Sequence, residues 1–387
     1  DLHRVDRRQR QMCIRDRALT GTMAVAVLAG AGTSEVKAAD KAKIGVLVAD
    51  VSGEEAQGFR SYYENYIAGN YDVEFNYTDA LQSAEDEKTA IEKFASQGCQ
   101  AIISFSSNDR VQQIETCEKY GVYYAVASGV LDDAQYETYK TYEYFAGQVG
   151  PGNDTEFEAG KDMGAYYKEQ GVSKVAIYGA FIPNPMHVYR VAGVLNGLGC
   201  TYGGESDMNA IAGQIFQDQT VDLSKVEGDV EVVSYLQGYG DTTTDELNAA
   251  IQKTPDAFIS VGMATTFFAQ SLSEAGISFS DIDSFTETNG NSMKNGTLTY
   301  LAGKYSSSIG PVFALVMNAI NGNVIRDEDG NAPSISQGYL VATDSDTFDK
   351  YSVSDSGDAP IYDKETLDSI ISDNVTFEDV KTLVESK

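Results

Sequence analysis

IEKFASQGCQAIISFSSND, residues 91–109, is the stretch whose reading decides the fold. Its first half completes a helical segment, AEDEKTAIEKFASQG (84–98), that stops at Gly98. Its second half, CQAIISFS (99–106), is almost wholly apolar, as a strand covered on both faces of a parallel sheet must be. The alternation repeats outward from there. Upstream lie the β-rich run KIGVLVAD (43–50), a helical stretch to about Ile67 and the strand VEFNYT (73–78). Downstream, a helix from about Asp109 to Tyr120 stops at Gly121, and VYYAVAS (122–128) follows. Four βα repeats in about 90 residues predict a doubly wound parallel sheet.

After a polar, Tyr-rich insertion (Leu131–Tyr144), FAGQVGPGN (145–153) carries the Gly-Pro-Gly punctuation of an interdomain crossing. The alternation then restarts. Strands are expected at 174–180, 230–236, 256–262 and 282–287, and helices at 155–170, about 185–198, 242–253 and 264–275. TLTYLAGKY (297–305) reads as a strand crossing back, SSSIGPVFALVMNAING (306–322) as an apolar helix beneath it, and SISQGYLVAT (334–343) as a third crossing. The expected fold class is therefore α/β, with two Rossmann-like doubly wound parallel-sheet lobes joined by three hinge crossings. The first lobe takes residues 40–147 and 304–336, and the second takes 148–303 and 337–387. The second includes an acidic amphipathic tail with helices near 364–372 and 376–385.

Composition narrows the function. With 28 Lys+Arg against 58 Asp+Glu and a net charge of −30, the chain lacks the basic face that a nucleic-acid partner requires. It has two histidines, so a multi-histidine zinc site or an HExxH hydrolase is excluded. No Walker A motif, strand-linked GxGxxG or GxSxG elbow is present, and no cofactor or metal is expected. Asp327-Glu328-Asp329-Gly330-Asn331 reads as a polar turn rather than a Ca²⁺ loop. Residues 18–32, ALTGTMAVAVLAGAG, behind five flanking arginines, read as the apolar region of an export signal, with Val36-Lys37-Ala38 fitting the cleavage rule. Ala31 stands where a lipidated cysteine would be, so no lipid anchor is expected. The segment QMCIRDR (11–17), with no initiator Met, marks residues 1–17 as a non-native leader ahead of the signal. Removing residues 1–39 takes out seven basic and four acidic groups and leaves a charge of −33. Of the remaining cysteines, Cys99 and Cys117 could pair, but three sparse cysteines more often serve as small buried hydrophobes.

The two-lobed pattern resembles the type I periplasmic binding proteins, the solute-binding components of ABC importers. The resemblance is carried by KIGVLVAD, by the helix-strand stretch quoted first, by the Arg190-Val-Ala-Gly193 step in HVYRVAGVLNGLG and by the helix at 302–322. It implies hinge closure on a small polar solute, delivery to an ABC permease, export, a monomer and no chemistry. In open α/β sheets ligands lie at the carboxyl ends of strands. Reading those ends gives Asp50, Ser52, Glu54 and Phe59 after the first strand, Phe105 and Ser106 after the third and Ser128 after the fourth. In the second lobe it gives Phe181, Tyr239, Glu287 and Asn289. Aromatics offer flat faces for stacking, while hydroxyls and carboxamides fix orientation. The resemblance adds Arg190, either as a ligand contact or as one half of a structural ion pair.

Departures from the family pattern matter equally. Monosaccharide binders carry Asp-Arg where this chain has Ser128-Gly129, Asn-Asp where it has Gly262-Met263, and Gln where it has Gly303. VADVSGEEAQGF (48–59) is similar instead to the basic membrane protein branch, which binds nucleosides. On that branch Phe59 would stack a base and Asp50 would contact ribose. Sugar and nucleoside both stay open. A sensing receptor of the same fold is an alternative, as is an exported glycosidase using Glu54 and Glu287.

Overall fold

The computed structural model describes residues 41–355 and 359–387, so the expectations for the leader and signal (1–39) lie outside the described residues. The first sheet is built from β1 (Ala42–Leu47), β2 (Val73–Tyr77), β3 (Ala101–Ser104), β4 (Tyr123–Ala127) and β5 (Phe145–Gly150). In the second lobe come β6 (Lys174–Tyr178), a short antiparallel pair of β7 (Thr201–Tyr202) and β8 (Val226–Glu227), β9 (Glu231–Leu236) and β10 (Ala257–Ser260). These are followed by β11 (Ser278–Ser284), β12 (Leu298–Lys304) and β14 (Leu340–Ala342), while β13 (Ser334–Ser336) returns to the edge of the first sheet. The two six-stranded sheets run β13-β5-β4-β3-β1-β2 and β14-β12-β11-β10-β6-β9. All their pairings are parallel except the antiparallel pairing of β14 with β12.

Local chemistry accounts for the elements. Ser83 caps the helix Ala84–Ser96 by accepting from the Asp86 amide, and Gly98 then turns the chain at φ +82°. The four residues of β3 are all buried, matching the apolar run from which they were read. The helix Arg110–Tyr120 is capped by Asp109 and ends on Gly121 in the left-handed conformation. The helix Gly310–Ile320 is buried all round from Gly310 to Ala319, as an apolar helix under a sheet should be.

The chain crosses between lobes after β5, where the helix Asn153–Glu169 begins, and after β12, where the turn Ser306–Ile309 leads into Gly310–Ile320. It crosses again between β13 and β14. Two expectations are corrected. The tail belongs to the first lobe: Tyr362, Leu367, Ile370, Val380 and Val384 share a core with Ile44, Val46 and Phe313. An amphipathic helix dictates a buried face and does not say which lobe supplies the other half. Second, the strand read at 282–287 is β11, which ends at Ser284. Thr286 then caps a helix, Glu287–Lys294, so Glu287 and Asn289 are helical. The Tyr-rich insertion contains the helix Asp133–Tyr139, held by a capping box of Asp132 and Gln135. Cys99, Cys117 and Cys200 are free and buried, the small-hydrophobe reading. In the 327–331 turn the Asp327 carboxylate accepts from the Asn331 amide at 2.7 Å.

Candidate functional site

The carboxyl ends of both sheets face the same interlobe cleft. Several candidates turn out to build its walls. Asp50 accepts from the Ser52 amide and hydroxyl and from the Gly53 amide at 2.9–3.0 Å, and these bonds, the Ser52 amide first, hold its carboxyl below the usual range. It thereby fixes the loop that launches the helix Glu54–Ser61. Phe59 is buried and stacks on Phe105, centroids 5.4 Å apart. Ser106 is fully buried and donates to Glu87, whose carboxylate also accepts from the Asn108 and Asp109 amides. Burial pushes Glu87 up, but the bonds from Ser106, Gln113 and the Asp109 and Asn108 amides outweigh it and leave it below its ordinary value.

The second lobe repeats this device. Ser260 bonds to both backbone groups of Gly262, as Ser104 does to Ser106, and donates to the buried Asp281, which accepts from the Thr265 amide at 2.9 Å. Here burial first, and the neighbouring Asp283 second, win and hold the Asp281 carboxyl well above its ordinary value. A carboxyl therefore clamps the turn after the central strand in each lobe. The sequence analysis missed both, because each comes from an element remote in sequence from the turn it holds.

Arg190 is almost fully buried. Its Nε and Nη2 donate to Glu156 at 2.6 and 3.2 Å, Nη2 also to the Tyr339 hydroxyl at 2.6 Å, and Nη1 to the Val261 carbonyl at 2.8 Å. Glu156 lies just beyond the first crossing and Tyr339 in the third, so Arg190 ties two crossings to the β10 mouth. The ion-pair alternative is what the geometry shows. One helical turn earlier His187 packs beside Phe181, with Nδ1 3.1 Å from the Phe181 amide. Burial first, and the Arg190 charge second, push this imidazole down to about 4. A histidine depressed in the fold stabilises it above the unfolded pKa near 6.5, and that stability is lost as pH falls toward 4. The shift corresponds to about 3 kcal/mol. The thermal midpoint of the wild type should therefore fall between pH 6.5 and 4 more steeply than that of His187→Gln; parallel curves would contradict this.

A cavity of about 230 Å³ opens where the lobes meet, lined by Glu54, Glu55 and Phe59 from the first and by Ser284, Glu287 and Lys304 from the second. Of the sequence candidates it gathers Glu54, Phe59 and Glu287. Contacts span it directly: Thr288 donates to Glu54 at 2.7 Å, Ser284 to Glu55, and Lys304 lies 3.6 Å from Glu55 and 3.5 Å from the Ser128 hydroxyl. Asn289 is not at the cleft surface; it is buried and donates to Asp283 and to the Ser284 carbonyl. Lys304 ends β12, which was read as a crossing and not as a mouth, and Glu55 was passed over beside Glu54 because no local pattern separates the two carboxylates.

Phe181 and Tyr239 form a second group. Tyr239 stacks on Phe267 at 5.8 Å with planes 5° apart, and Phe181 meets Tyr239 edge-on at 5.3 Å. Among the described residues, four of the seven exposed large hydrophobic side chains follow strand ends at these mouths: Val51, Tyr239, Met263 and Phe267. Three residues that follow strands, Ser128, Ala180 and Met263, hold left-handed backbone with φ between +51° and +70°. Strain of this kind persists where the surrounding structure enforces it, commonly at binding sites.

Two sheets of this order, each opening its carboxyl edge into one cleft and joined by three crossings, decide the architecture. The fold is that of the type I periplasmic binding proteins. Solved structures of that type I fold match over most of their length. The chain is similar to an ABC transporter solute-binding protein from Actinobacillus succinogenes 130z with bound D-allose, with a TM-score of 0.61 and 16% identity over 80% of this chain and 100% of that one. It is similar also to the binding protein of the arabinose ABC transporter from Shewanella sp. ANA-3, bound to α- and β-L-arabinofuranose (TM-score 0.56, 16% identity, 80% and 93% covered). A solute-binding protein from Bacillus halodurans C-125 with bound myo-inositol gives a TM-score of 0.57 at 16% identity, covering 82% and 99%. No family model and no curated protein matches the sequence. Among the described residues no helix is long and apolar enough to cross a membrane, and no group of three or more His, Cys, Asp or Glu side chains could hold a metal.

Proposed function

We propose that the chain is the extracytoplasmic substrate-binding component of an ABC importer, closing by hinge motion on a small polar, ring-shaped solute and releasing it unchanged to a permease. The carrying observation is the aromatic group at the strand mouths of the second lobe, where Tyr239 and Phe267 are exposed and stacked on each other and the half-buried Phe181 meets Tyr239 edge-on. A protein that leaves such surface uncovered at a strand mouth gains by stacking a ligand ring on it. The matching proteins were solved with L-arabinofuranose, D-allose and myo-inositol, which supports a ring-shaped polyol; the aromatic content and the β1 loop support a nucleoside equally. Arg190, with its partners already supplied, acts on this reading chiefly by holding the mouth, and Glu54, Glu287, Ser52 and Ser128 supply polar contacts at the rim. Export and a monomeric state go with this role.

Thermal shift of the full chain against sugars, cyclitols and nucleosides tests the proposal. A ligand at a hundred times its Kd stabilises by about 2.7 kcal/mol, a readily visible shift. Stoichiometric binding without turnover is the expected result; no shift with any of the three classes, or hydrolysis of a glycoside, would overturn it. Once a ligand is in hand, Tyr239→Ala should weaken it about tenfold, which is ~1.4 kcal/mol, in calorimetry. An unchanged Kd would remove the aromatic group from the site.

A further inference from the structure

We propose that Lys304 and the paired carboxylates Glu54 and Glu55 form an electrostatic latch between the lobes, in which Lys304 is the charge that allows an acidic cleft to close. Glu54 and Glu55 open the helix Glu54–Ser61 of the first lobe, where the positive end of the helix dipole favours ionised carboxylates. Each is met by its own donor from the second lobe. Thr288 donates to Glu54 at 2.7 Å and Ser284 to Glu55, while the Lys304 ammonium lies 3.6 Å from Glu55. These donors come from the end of β11, the end of β12 and the first turn of the helix Glu287–Lys294, which are neighbours on one edge of the second lobe.

The same junction brings like charges together. Glu287 and Asp355 line the cavity with Glu54 and Glu55, and among the described residues Lys304 is the one cation in that lining. Asp283 lies just behind, accepting a hydrogen bond from Asn289. Burial first holds the Asp283 carboxyl above its ordinary value, and Glu55 across the cleft adds to that rise, while the Asn289 bond and the Lys304 charge oppose it. Lys304 thus serves carboxylates of both lobes, Glu55 of the first and Asp283 of the second, and it also reaches the Ser128 hydroxyl of the first lobe at 3.5 Å. Its side chain is 21% exposed and that of Glu55 35%, so salt and water screen the pair less than they would a surface pair. Removing the ammonium leaves Glu55 facing Asp283 without a counter-charge, and their repulsion then favours the open arrangement. Closure in this protein therefore draws on charges that the lobes themselves carry, in addition to whatever a solute contributes.

The test needs no ligand, so its failure and that of the transport reading are distinguishable. Spin labels at Ser107→Cys and Thr266→Cys, exposed positions after β3 and β10, report the interlobe distance in a chain carrying Cys13→Ser; Cys99, Cys117 and Cys200 are buried. Lys304→Met should raise the ratio of long to short distances about fivefold, the upper range for a partly exposed charge pair. Lys304→Arg keeps the charge and should leave the wild-type distribution. Adding Glu55→Gln to Lys304→Met should also return the distribution toward wild type, because it removes the repelling carboxylate and keeps an acceptor for Ser284. So should salt at about 1 M, where the Debye length is about 3 Å. Thr288→Val, at an exposed position where folding is not at stake, should open the cleft about twofold by deleting the Glu54 bond. Coincident distributions for wild type, Lys304→Met and Thr288→Val, with native melting curves, would overturn the latch. An opening in Lys304→Met that Lys304→Arg shares and salt leaves unchanged would overturn it too, since Lys304 would then act by packing and not by charge.

Discussion

Replacing Glu156 by alanine will destabilise the protein by about 3–5 kcal/mol, because it leaves the Arg190 guanidinium charged and buried without its counter-ion. Both side chains are only 3% exposed, so water cannot take over the solvation that the carboxylate provides. Burial alone would lower the Arg190 pKa; Glu156 and Tyr339 outweigh it and hold the guanidinium more firmly protonated than an ordinary arginine. Deprotonation is therefore no escape. Denaturant unfolding of Glu156→Ala gives the loss directly. Tyr339→Phe should cost about 2 kcal/mol, since it removes the hydrogen bond accepted from Arg190 and the one donated to Glu156 and leaves the ion pair. The double variant Glu156→Met/Arg190→Met should recover most of the loss, because the penalty belongs to the unpaired charge and not to the missing pair. A loss below about 1 kcal/mol for Glu156→Ala would mean that the guanidinium finds water or another acceptor, and would free Arg190 for a ligand.

The ion pair also marks where sequence reasoning reached and where it stopped. The alternation of strands and helices was legible because the central β runs, β3, β4, β6 and β10, are apolar on both faces, and because Gly98 and Gly121 end helices in a backbone conformation that favours glycine. Arg190 could be singled out by its place before Gly193, but its partner is 34 residues away on another helix, and no local pattern points to it. Ser106 and Asn289 have the residue type and the place in sequence of cleft contacts. The buried carboxyl of Glu87 and the half-buried one of Asp283 turn them inward. β11 was read four residues late because Ser280 and Asp281 interrupt its apolar run; both are buried, with Asp281 clamping a turn, so the polar residue was a structural signal read as a loop. The tail was recognised as amphipathic and assigned to the wrong lobe. Pairing between surfaces is a property of the folded chain, whereas periodicity belongs to the segment alone.

Gly193→Val should be at least as damaging, for a reason that ties the Arg190 step to the architecture. The helices Asn153–Glu169 and Pro185–Gly197 approach through four glycines, Gly160 and Gly164 on one and Gly193 and Gly197 on the other. A Cβ at Gly193 would lie 2.0 Å from the Phe157 carbonyl oxygen, and one at Gly160 would lie 2.0 Å from the Arg190 carbonyl oxygen. These obstacles are backbone atoms inside helices, so no side-chain rotation relieves the clash and the helices must separate. Separation would pull Glu156 from Arg190 and release the Val261 carbonyl, so the loss exceeds ordinary overpacking and should reach about 3 kcal/mol or more. Gly213→Ala is the control: it lies in the helix Met208–Asp218 with no atom within 4 Å of its added methyl, and should be neutral or stabilising by up to ~1 kcal/mol. Chemical denaturation of the two variants side by side decides the matter. If Gly193→Val unfolds at the wild-type midpoint, the close helix approach is wrong, and with it the account of why glycine follows Arg190 at this spacing.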